Sequence, residues 1–201
     1  MDFLLAVGGG SVIDSCKAIG YGVANPWTDV WNFFLKTETP KACLPVAAIP
    51  TIAASGSEMS NSCVITNEDG WLKRGSVKSD LCRPRFALLN PRLTYSLPQY
   101  QTESGCVDIL MHTMERYFVN IETMEITDSI SESLMQTVIY NARILMKEPG
   151  NYNARAEVMW AGSLSHNGLT GCGTGGGDWA CHQLQHELGG LYDVAHGAGL
   201  A

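Results

Sequence analysis

The richest group of metal-binding side chains lies near the end of the chain, where three of the five histidines fall between residues 182 and 196. His182 and His186 are four residues apart, so on a helix they share one face about a turn apart, as paired metal ligands often do. Gly189 and Gly190 predict the end of that helix, and a turn could then bring His196 back to the same point. The alternative is a helix whose histidines cover a polar surface, because two imidazoles alone make an incomplete site.

A second pair at the same spacing favours the metal. Asp108 and His112 are also four residues apart, in a segment that otherwise has the pattern of a mostly apolar helix. An aspartate there is costly unless it is paired or bound to a cation. Two helices that each carry such a pair could therefore face one another across one ion. One carboxylate with imidazoles suits iron(II), zinc or similar divalent metals and does not choose between them.

The first part of the chain predicts a phosphate-binding turn. Residues 3–7 are apolar and predict a buried parallel strand, and three glycines with Ser11 then predict a tight turn into a helix. Such a turn lets a pyrophosphate approach free backbone N–H groups at the positive end of the helix dipole. The alternative is an ordinary strand-to-helix turn, because a short glycine motif is a weak signal by itself.

Further strands follow this unit. Residues 44–49 predict a second buried strand, and the small, polar residues 51–58 after it either wrap a ligand or form a plain turn. Residues 62–66 and 71–77 predict a hairpin, and residues 85–89 predict a third apolar strand.

The composition excludes several classes of partner. Thirteen basic against twenty acidic side chains give a net charge of −7, the wrong sign for a phosphate backbone, so we expect no nucleic acid. No apolar stretch approaches the roughly 20 residues that span a bilayer, and no signal-peptide pattern is present, so we expect no membrane partner. Seven cysteines without CxxC spacing fit reduced thiols and a cytoplasmic location.

The second half of the chain changes to helical periodicity. Helices are predicted over residues 123–147 and 153–166, and five glycines within residues 171–177 predict a hinge before the histidine-rich helix. His166 has no partner at ligand spacing and is interpreted as structural. We place the boundary between two predicted domains at residue 95, with a partial dinucleotide-binding α/β domain over 1–95 and a partial helical metal and substrate domain over 96–201.

Four motifs together resemble the iron-containing (group III) alcohol dehydrogenases, most closely their butanol dehydrogenase-like branch. They are residues 8–14, residues 50–58, Asp108 with His112, and the histidine-rich stretch that ends at residue 201. The resemblance implies an incomplete Rossmann-like α/β nucleotide-binding domain followed by an all-α metal-binding domain, a dehydroquinate synthase-like architecture. Family members are nearly twice as long, so we expect this chain to be a central fragment.

The resemblance also implies roles for individual residues. The implied ligands of Fe²⁺, or Zn²⁺, are Asp108, His112, His182 and His196, which leaves His186 as a catalytic or substrate-facing residue. The implied cofactor-binding residues are Gly9, Gly10, Ser11, Asp14, Thr51, Ser55 and Arg74.

Some of these positions depart from the family or have an alternative. Ser55 stands where the family usually has threonine, and Asn90 where it usually has aspartate. Counting back from Pro84 favours Arg74 over Lys73 as the basic cofactor contact. The alternative for Lys73 is a solvated charge on an edge strand.

The implied reaction is hydride transfer between NAD(P)(H) and a small primary alcohol or aldehyde such as butanol or butanal. NADP(H) is favoured over NAD(H), and a homodimer is expected at full length. The metal would act as a Lewis acid on the substrate oxygen, and His186 could pass the alcohol proton towards solvent. Two alternatives stay open: a metallohydrolase with Glu187 or Glu115 as its base, and a catalytically incompetent fragment of the dehydrogenase.

Overall fold

The computed structural model describes residues 1–121 and 124–201. The strands are β1 (Leu4–Gly8), β2 (Val46–Pro50), β3 (Val64–Asn67) and β4 (Leu72–Gly75). The helices are α1 (Gly10–Ala24), α2 (Trp31–Phe34), α3 (Gln99–Tyr117), α4 (Glu125–Leu145), α5 (Tyr152–His166), α6 (Ala180–Tyr192) and α7 (His196–Leu200). In these two ranges no helix combines the length and apolarity needed to cross a membrane.

The strand-turn-helix unit predicted at the start of the chain is confirmed. β1 pairs in parallel with β2, in register from Leu4 opposite Val46 to Gly8 opposite Pro50. Helix α1 makes the crossover between them, the connection that parallel strands require. The predicted third strand forms only an isolated parallel bridge, between Ala48 and Ala87 on the other side of β2.

The strand predicted over residues 3–7 forms, but the prediction that it is buried is wrong. Ala6 is fully buried with Ile13 of α1, but Leu5 and Val7 stay about half exposed, at 50% and 54%. Side chains alternate between the two faces of a strand, so Ala6, which packs with Ile13, lies on one face and Leu5 and Val7 lie on the other. The apolar run therefore predicted the strand and its parallel pairing but not the exposure of its second face.

A buried lysine ties α1 to the loop that follows β2. The Lys17 side chain is fully buried, and its ammonium donates to the carbonyl oxygens of Ser57, Ser60 and Ser62 and to the hydroxyls of Ser57 and Ser60, over 2.7–3.2 Å. Three N–H groups are thus shared among five oxygens. Because a buried charge is stable only when it is fully hydrogen-bonded, Lys17 fixes the path of this loop.

The predicted hairpin is also confirmed. β3 and β4 are antiparallel, with Asn67 opposite Leu72 across the turn. Gly70 adopts a left-handed φ of +83° there, a conformation that glycine reaches without steric cost.

The second half of the chain is built around α3, which packs against α4, α5 and α7. Ile109 of α3 is fully buried among apolar side chains of α4 and α5, including Val138 and Val158. The predicted helices are confirmed as α4 and α5, although the predicted first residue, Thr123, lies outside the described residues. Asn151 accepts a hydrogen bond from the Ala154 N–H (3.1 Å) and so caps α5.

The predicted end of the histidine-rich helix at Gly189 and Gly190 is wrong, because α6 continues to Tyr192. Its glycines serve close packing instead. A Cβ on Gly190 would overlap the carbonyl oxygen of Trp71, so α6 can lie directly against the hairpin only with glycine at this position. The predicted hinge before α6 does contain consecutive glycines with positive φ, including Gly175, Gly176 and Gly177.

Candidate metal centre

Three helices bring the predicted ligands together. α3 carries Asp108 and His112 one turn apart, α6 carries His182 near its start, and α7 begins with His196. Asp108 Oδ1 lies 3.7 Å from His182 Nε2 and 3.6 Å from His196 Nε2. Asp108 and His182 are buried, at 2% and 6% exposure. One oxygen and two imidazole nitrogens therefore converge in the protein interior.

The chemistry of this group fits a divalent cation. Ligand atoms of Asp108, His182 and His196 all lie within 4.8 Å of one another. Within the described ranges, Asp108 Oδ1 and His182 Nε2 are buried and make no hydrogen bond, and each such atom costs about 1–3 kcal/mol if it stays unpartnered. A carboxylate oxygen with imidazole nitrogens is a donor set that iron(II) and zinc accept.

His112 lies beside this group rather than inside it. Its Nδ1 is 3.2 Å from Asp108 Oδ1 but outside hydrogen-bonding geometry. Its ring lies 4.4 Å from that of His182 and 4.2 Å from that of His166, between centroids. Burial, and then the neighbouring His166, His182 and Arg116, hold the pKa of His112 well below its usual value. The ligand role of His112 stays a prediction.

Two side chains that the sequence did not identify as partners of the histidines orient the imidazoles. Glu115 of α3 accepts a hydrogen bond from His182 Nδ1, and the fully buried Gln185 of α6 pairs through Oε1 with His196 Nδ1. Both rings therefore present Nε2 to Asp108. Metal-binding histidines commonly hold their second nitrogen in this way. Helical spacing could have identified both side chains from the sequence, because Glu115 lies seven residues after Asp108 and Gln185 lies three residues after His182.

The environment of His182 favours its protonated form in the absence of a cation. Burial lowers the pKa of His182, but the charges of Asp108 and Glu115 and the hydrogen bond to Glu115 outweigh it and raise the pKa overall. These are the same groups that would stabilise a metal cation on Nε2. A metal and a proton therefore compete for this position.

His186 and His166 lie at the edge of the centre. The ring of His186 stacks on that of His196 with 5.8 Å between centroids, and burial together with His196 and Lys73 lowers the pKa of His186 to about 3. Arg116 Nη2 lies 3.0 Å from His166 Nδ1. His166 is thus held by an arginine, and its structural interpretation stays a prediction.

The predicted cofactor-binding loops adjoin each other. The Thr51 N–H donates to the Gly8 carbonyl oxygen (3.0 Å), and a Cβ on Gly10 would lie 2.7 Å from Ser55 Oγ. Gly9 is the N-cap of α1, and Gly10 and Ser11 form its first turn, where helical N–H groups have no partner within the helix. The geometry is that of a small anion-binding turn.

The other two predicted cofactor residues are engaged by the protein itself. Asp14 accepts hydrogen bonds from Ser57 Oγ and from the Val64 N–H (2.8 Å), and burial raises its pKa. Arg74 forms an ion pair with Glu187 (2.6 Å). Their cofactor roles stay predictions.

Lys73 is the neighbour of Arg74 on β4, and its ammonium lies close to Gly189 of α6. Burial lowers the pKa of Lys73, while the charges of Asp108, Asp14 and Asp193 oppose the shift. Its ammonium therefore lies within the field of the carboxylate that carries the candidate metal site. Both the cofactor contact and the solvated edge-strand charge stay predictions for this side chain.

Comparison with known proteins agrees with this arrangement. Residues 1–91 match the family model described as iron-containing alcohol dehydrogenase, and residues 102–201 match that of the C-terminal part of the Fe-containing alcohol dehydrogenase family. The chain belongs to the iron-containing alcohol dehydrogenase family. The predicted resemblance is confirmed, and so is the fold class of an α/β nucleotide-binding part followed by a helical part.

Relatives within the iron-containing alcohol dehydrogenases cover the whole chain. It is 41% identical over 201 residues to NADH-dependent butanol dehydrogenase A of Clostridium acetobutylicum, covering 100% of this chain and 51% of that protein. Identity to the NADPH-dependent aldehyde reductase YqhD of Escherichia coli is 39%, over 99% of this chain and 51% of the relative. The chain spans about half the length of the curated relatives it matches.

Solved structures of the family superimpose closely. The crystal structure of NADH-dependent butanol dehydrogenase A from Thermotoga maritima aligns with a TM-score of 0.96 at 38% identity, covering 100% of this chain and 50% of that one. The structure of Escherichia coli YqhD aligns with a TM-score of 0.95 at 37% identity, covering 100% and 51%.

Proposed function

We propose that this chain supplies the catalytic centre of a metal-dependent alcohol dehydrogenase or aldehyde reductase. The reaction would transfer hydride between NAD(P)(H) and a small primary alcohol or aldehyde such as butanol or butanal. The observation that carries the proposal is the convergence of Asp108, His182 and His196 on one buried point, in a chain that also forms a glycine turn beside a small-residue loop. A metallohydrolase would need the first feature but has no use for the second.

Asp108, His182, His196 and, as the proposed fourth ligand, His112 would hold Fe²⁺, or Zn²⁺. When bound, the ion would supply Lewis acidity, which lowers the pKa of an alcohol and polarises an aldehyde carbonyl. Asp108 supplies the negative charge that attracts a cation into a buried site.

The proposed role of His186 is proton transfer between the substrate hydroxyl and solvent. The side chain is only partly buried and its ring lies against that of His196, so it can reach both a substrate in the centre and the surface. A proton-transfer residue needs hydrogen-bonding reach of the reacting oxygen, directly or through one water.

The proposed cofactor site is the turn and loop at the carboxyl ends of β1 and β2. The N–H groups of Gly9, Gly10 and Ser11 would bind the pyrophosphate, with Thr51 and Ser55 beside it. The carboxyl ends of parallel strands are the usual location of dinucleotides in α/β folds. Asp14 would act mainly by holding Ser57 and so the loop.

We propose Lys73, ahead of Arg74, as the basic residue nearest the reacting end of the nucleotide. Arg74 is paired with Glu187, whereas the partly buried Lys73 lies in the field of Asp108, which opposes the lowering of its pKa by burial. NADP(H) is proposed over NAD(H), and relatives named for each nucleotide match the chain. The proposed division at residue 95 separates the cofactor half, 1–95, from the metal half, 96–201.

The remaining proposals concern the cellular context. We propose a cytoplasmic location, which the seven free thiols of the described chain support. A homodimer at full length and the absence of a nucleic-acid partner stay expectations from the sequence.

The decisive experiment measures NAD(P)H oxidation with butanal after metal-free protein has been reloaded with Fe²⁺ or Zn²⁺. We expect turnover that chelation abolishes and metal restores, with a lower KM for NADPH than for NADH. Gly9→Val should raise the cofactor KM strongly, because a Cβ on Gly9 would already lie 3.1 Å from Ile52.

The same preparation separates the alternatives. Metal binding without nucleotide binding would favour a metallohydrolase. Absence of cooperative unfolding by circular dichroism, with aggregation in sedimentation, would favour a catalytically incompetent fragment. His182→Ala, which removes a proposed ligand, serves as the control that should bind the metal more weakly and lose turnover.

A further inference from the structure

The carboxylate of Glu115 accepts three hydrogen bonds from the start of α6. Its Oε1 accepts the backbone N–H groups of Cys181 (2.8 Å) and His182 (3.3 Å), and its Oε2 accepts from His182 Nδ1. Glu115 is buried, at 8% exposure. Helix α6 has no side-chain cap of its own at Trp179, and its first N–H groups need acceptors. A residue of α3 therefore caps α6.

We propose that Glu115 is a positioning residue of the metal centre, which locks the His182 imidazole in the Nδ1–H tautomer and anchors the first turn of α6 on α3. This inference rests on the proposed function, because it assigns His182 as a metal ligand. Glu115 touches neither substrate nor cofactor in this role. It acts only through His182.

The tautomer follows from the chemistry of the two partners. An ionised carboxylate can only accept hydrogen bonds, so the bridging proton belongs to Nδ1 and the lone pair of the neutral ring to Nε2. That Nε2 is buried, 3.7 Å from Asp108 Oδ1 and without a hydrogen-bond partner. In the opposite tautomer an N–H would point at Asp108 and no lone pair would be available to a cation. Glu115 thus decides whether His182 can ligate.

The chain also brings α6 close enough for this contact. Gly177, with φ +79°, precedes α6, and a Cβ there would overlap the carbonyl oxygen of Glu115 itself. A side chain at this position would push the start of α6 away from α3. The glycine and the carboxylate therefore act at the same point, one allowing the approach and the other fixing it.

The residue that holds the other imidazole, His196, is uncharged. Gln185 holds His196 through a neutral amide oxygen, so of these two imidazoles His182 is the one with an anionic hydrogen-bond partner on Nδ1. A carboxylate partner raises the basicity of a ligating imidazole. His182 should consequently contribute more than His196 to the retention of a cation.

The test is a Co²⁺ titration of the metal-free protein, followed by visible absorption. Glu115→Gln should raise the Kd for Co²⁺ by about 10- to 100-fold, the usual effect of losing an outer-shell partner. The control is Glu103→Gln on the same helix, which removes the same charge from a side chain that, among the described residues, is hydrogen-bonded to Gln99. Its Kd should stay within about twofold of wild type, as for surface substitutions.

A double-mutant cycle shows whether Glu115 acts through His182. In a His182→Ala background, Glu115→Gln should change the Co²⁺ affinity by less than about twofold, because the group it positions is gone. An undiminished effect there, or a wild-type Kd for Glu115→Gln alone, would overturn the inference. If Glu115→Gln does not fold, Glu115→Asp keeps the charge with a shorter reach, and a wild-type Kd for that variant would overturn it equally.

Failure of the proposed function gives a different result. Wild-type protein that binds no Co²⁺ would refute the metal centre itself. Tight binding by wild type with equal binding by Glu115→Gln would refute only the positioning role.

Discussion

The replacement Lys17→Met tests the buried hydrogen bonds that join α1 to the loop after β2. Methionine is close to lysine in length but provides no donor for the five oxygens that surround the ammonium at 2.7–3.2 Å. Replacing both partners of a buried polar pair can be neutral, but removing one leaves the others unsatisfied. Here the serine oxygens and the neighbouring Asp14 remain, so the second case applies.

The expected loss is about 3–5 kcal/mol in the free energy of unfolding, the usual effect of removing one partner from a buried charged pair. Burial of methionine in place of an ammonium offsets part of this loss, but burying an apolar side chain stabilises by only about 1.5–3 kcal/mol, and the lysine stem is already buried. For a chain of this size the loss corresponds to a fall in Tm of roughly 6–20 °C. The dinucleotide Kd should rise as well, because the loop that contains Ser57 loses its anchor.

The measurement is urea unfolding followed by circular dichroism, with Lys41→Met as the control. Lys41 is exposed, so the same substitution there should change the free energy of unfolding by no more than about 0.5 kcal/mol. If Lys17→Met costs less than 1 kcal/mol, the ammonium is not the anchor of this loop.

Three further predictions concern the centre. His186→Ala should keep its metal by elemental analysis but lose turnover by roughly 10- to 1000-fold, and loss of the metal would make His186 a ligand. Gly197→Ala should weaken Co²⁺ binding and lower the free energy of unfolding by about 1–3 kcal/mol, because a Cβ there would overlap the Ser104 carbonyl oxygen and push α7 away from α3. A wild-type Kd for Co²⁺ would contradict this. Lys73→Met should raise the NADPH KM by about 10-fold, the value of a charge-assisted hydrogen bond, and Arg74→Met much less; the reverse order would restore Arg74 as the cofactor contact.

The competition between a proton and a metal at His182 gives a pH dependence. The raised pKa of His182 means that metal-free protein takes up a proton there at higher pH than free histidine does. Cation binding must displace that proton, so the apparent affinity should fall as the pH falls through the raised pKa. A Co²⁺ Kd that is independent of pH from about 6 to 8, the range around the usual histidine pKa, would contradict this expectation.

The sequence alone determined the local elements and the residues that could do chemistry. The pair Asp108 and His112 and the histidines of α6 share helical faces because their spacing of four residues repeats about one turn. The hairpin around Gly70 follows from a left-handed backbone conformation that few other residues adopt. These are short-range properties, and the chain encodes them in consecutive residues.

Tertiary structure decided which of these groups meet. Nothing in the spacing of residues 108–112 and 182–196 states that α3, α6 and α7 cross at one point, and the family resemblance supplied that expectation. The extension of α6 past Gly189 and Gly190 depended on the hairpin strand against which the helix packs. Helix ends, like burial of β1, depend on what lies alongside, and a sequence window does not contain the neighbour.

Tertiary structure also decided which of two adjacent side chains makes a given contact. Lys73 and Arg74 are consecutive on β4, and only the position of α6 decides that Arg74 is the one that forms the ion pair with Glu187. Glu115 gains its importance for the same reason, since its partners lie 66 and 67 positions away. Composition and spacing fixed the candidates, and the packing of distant helices assigned their contacts.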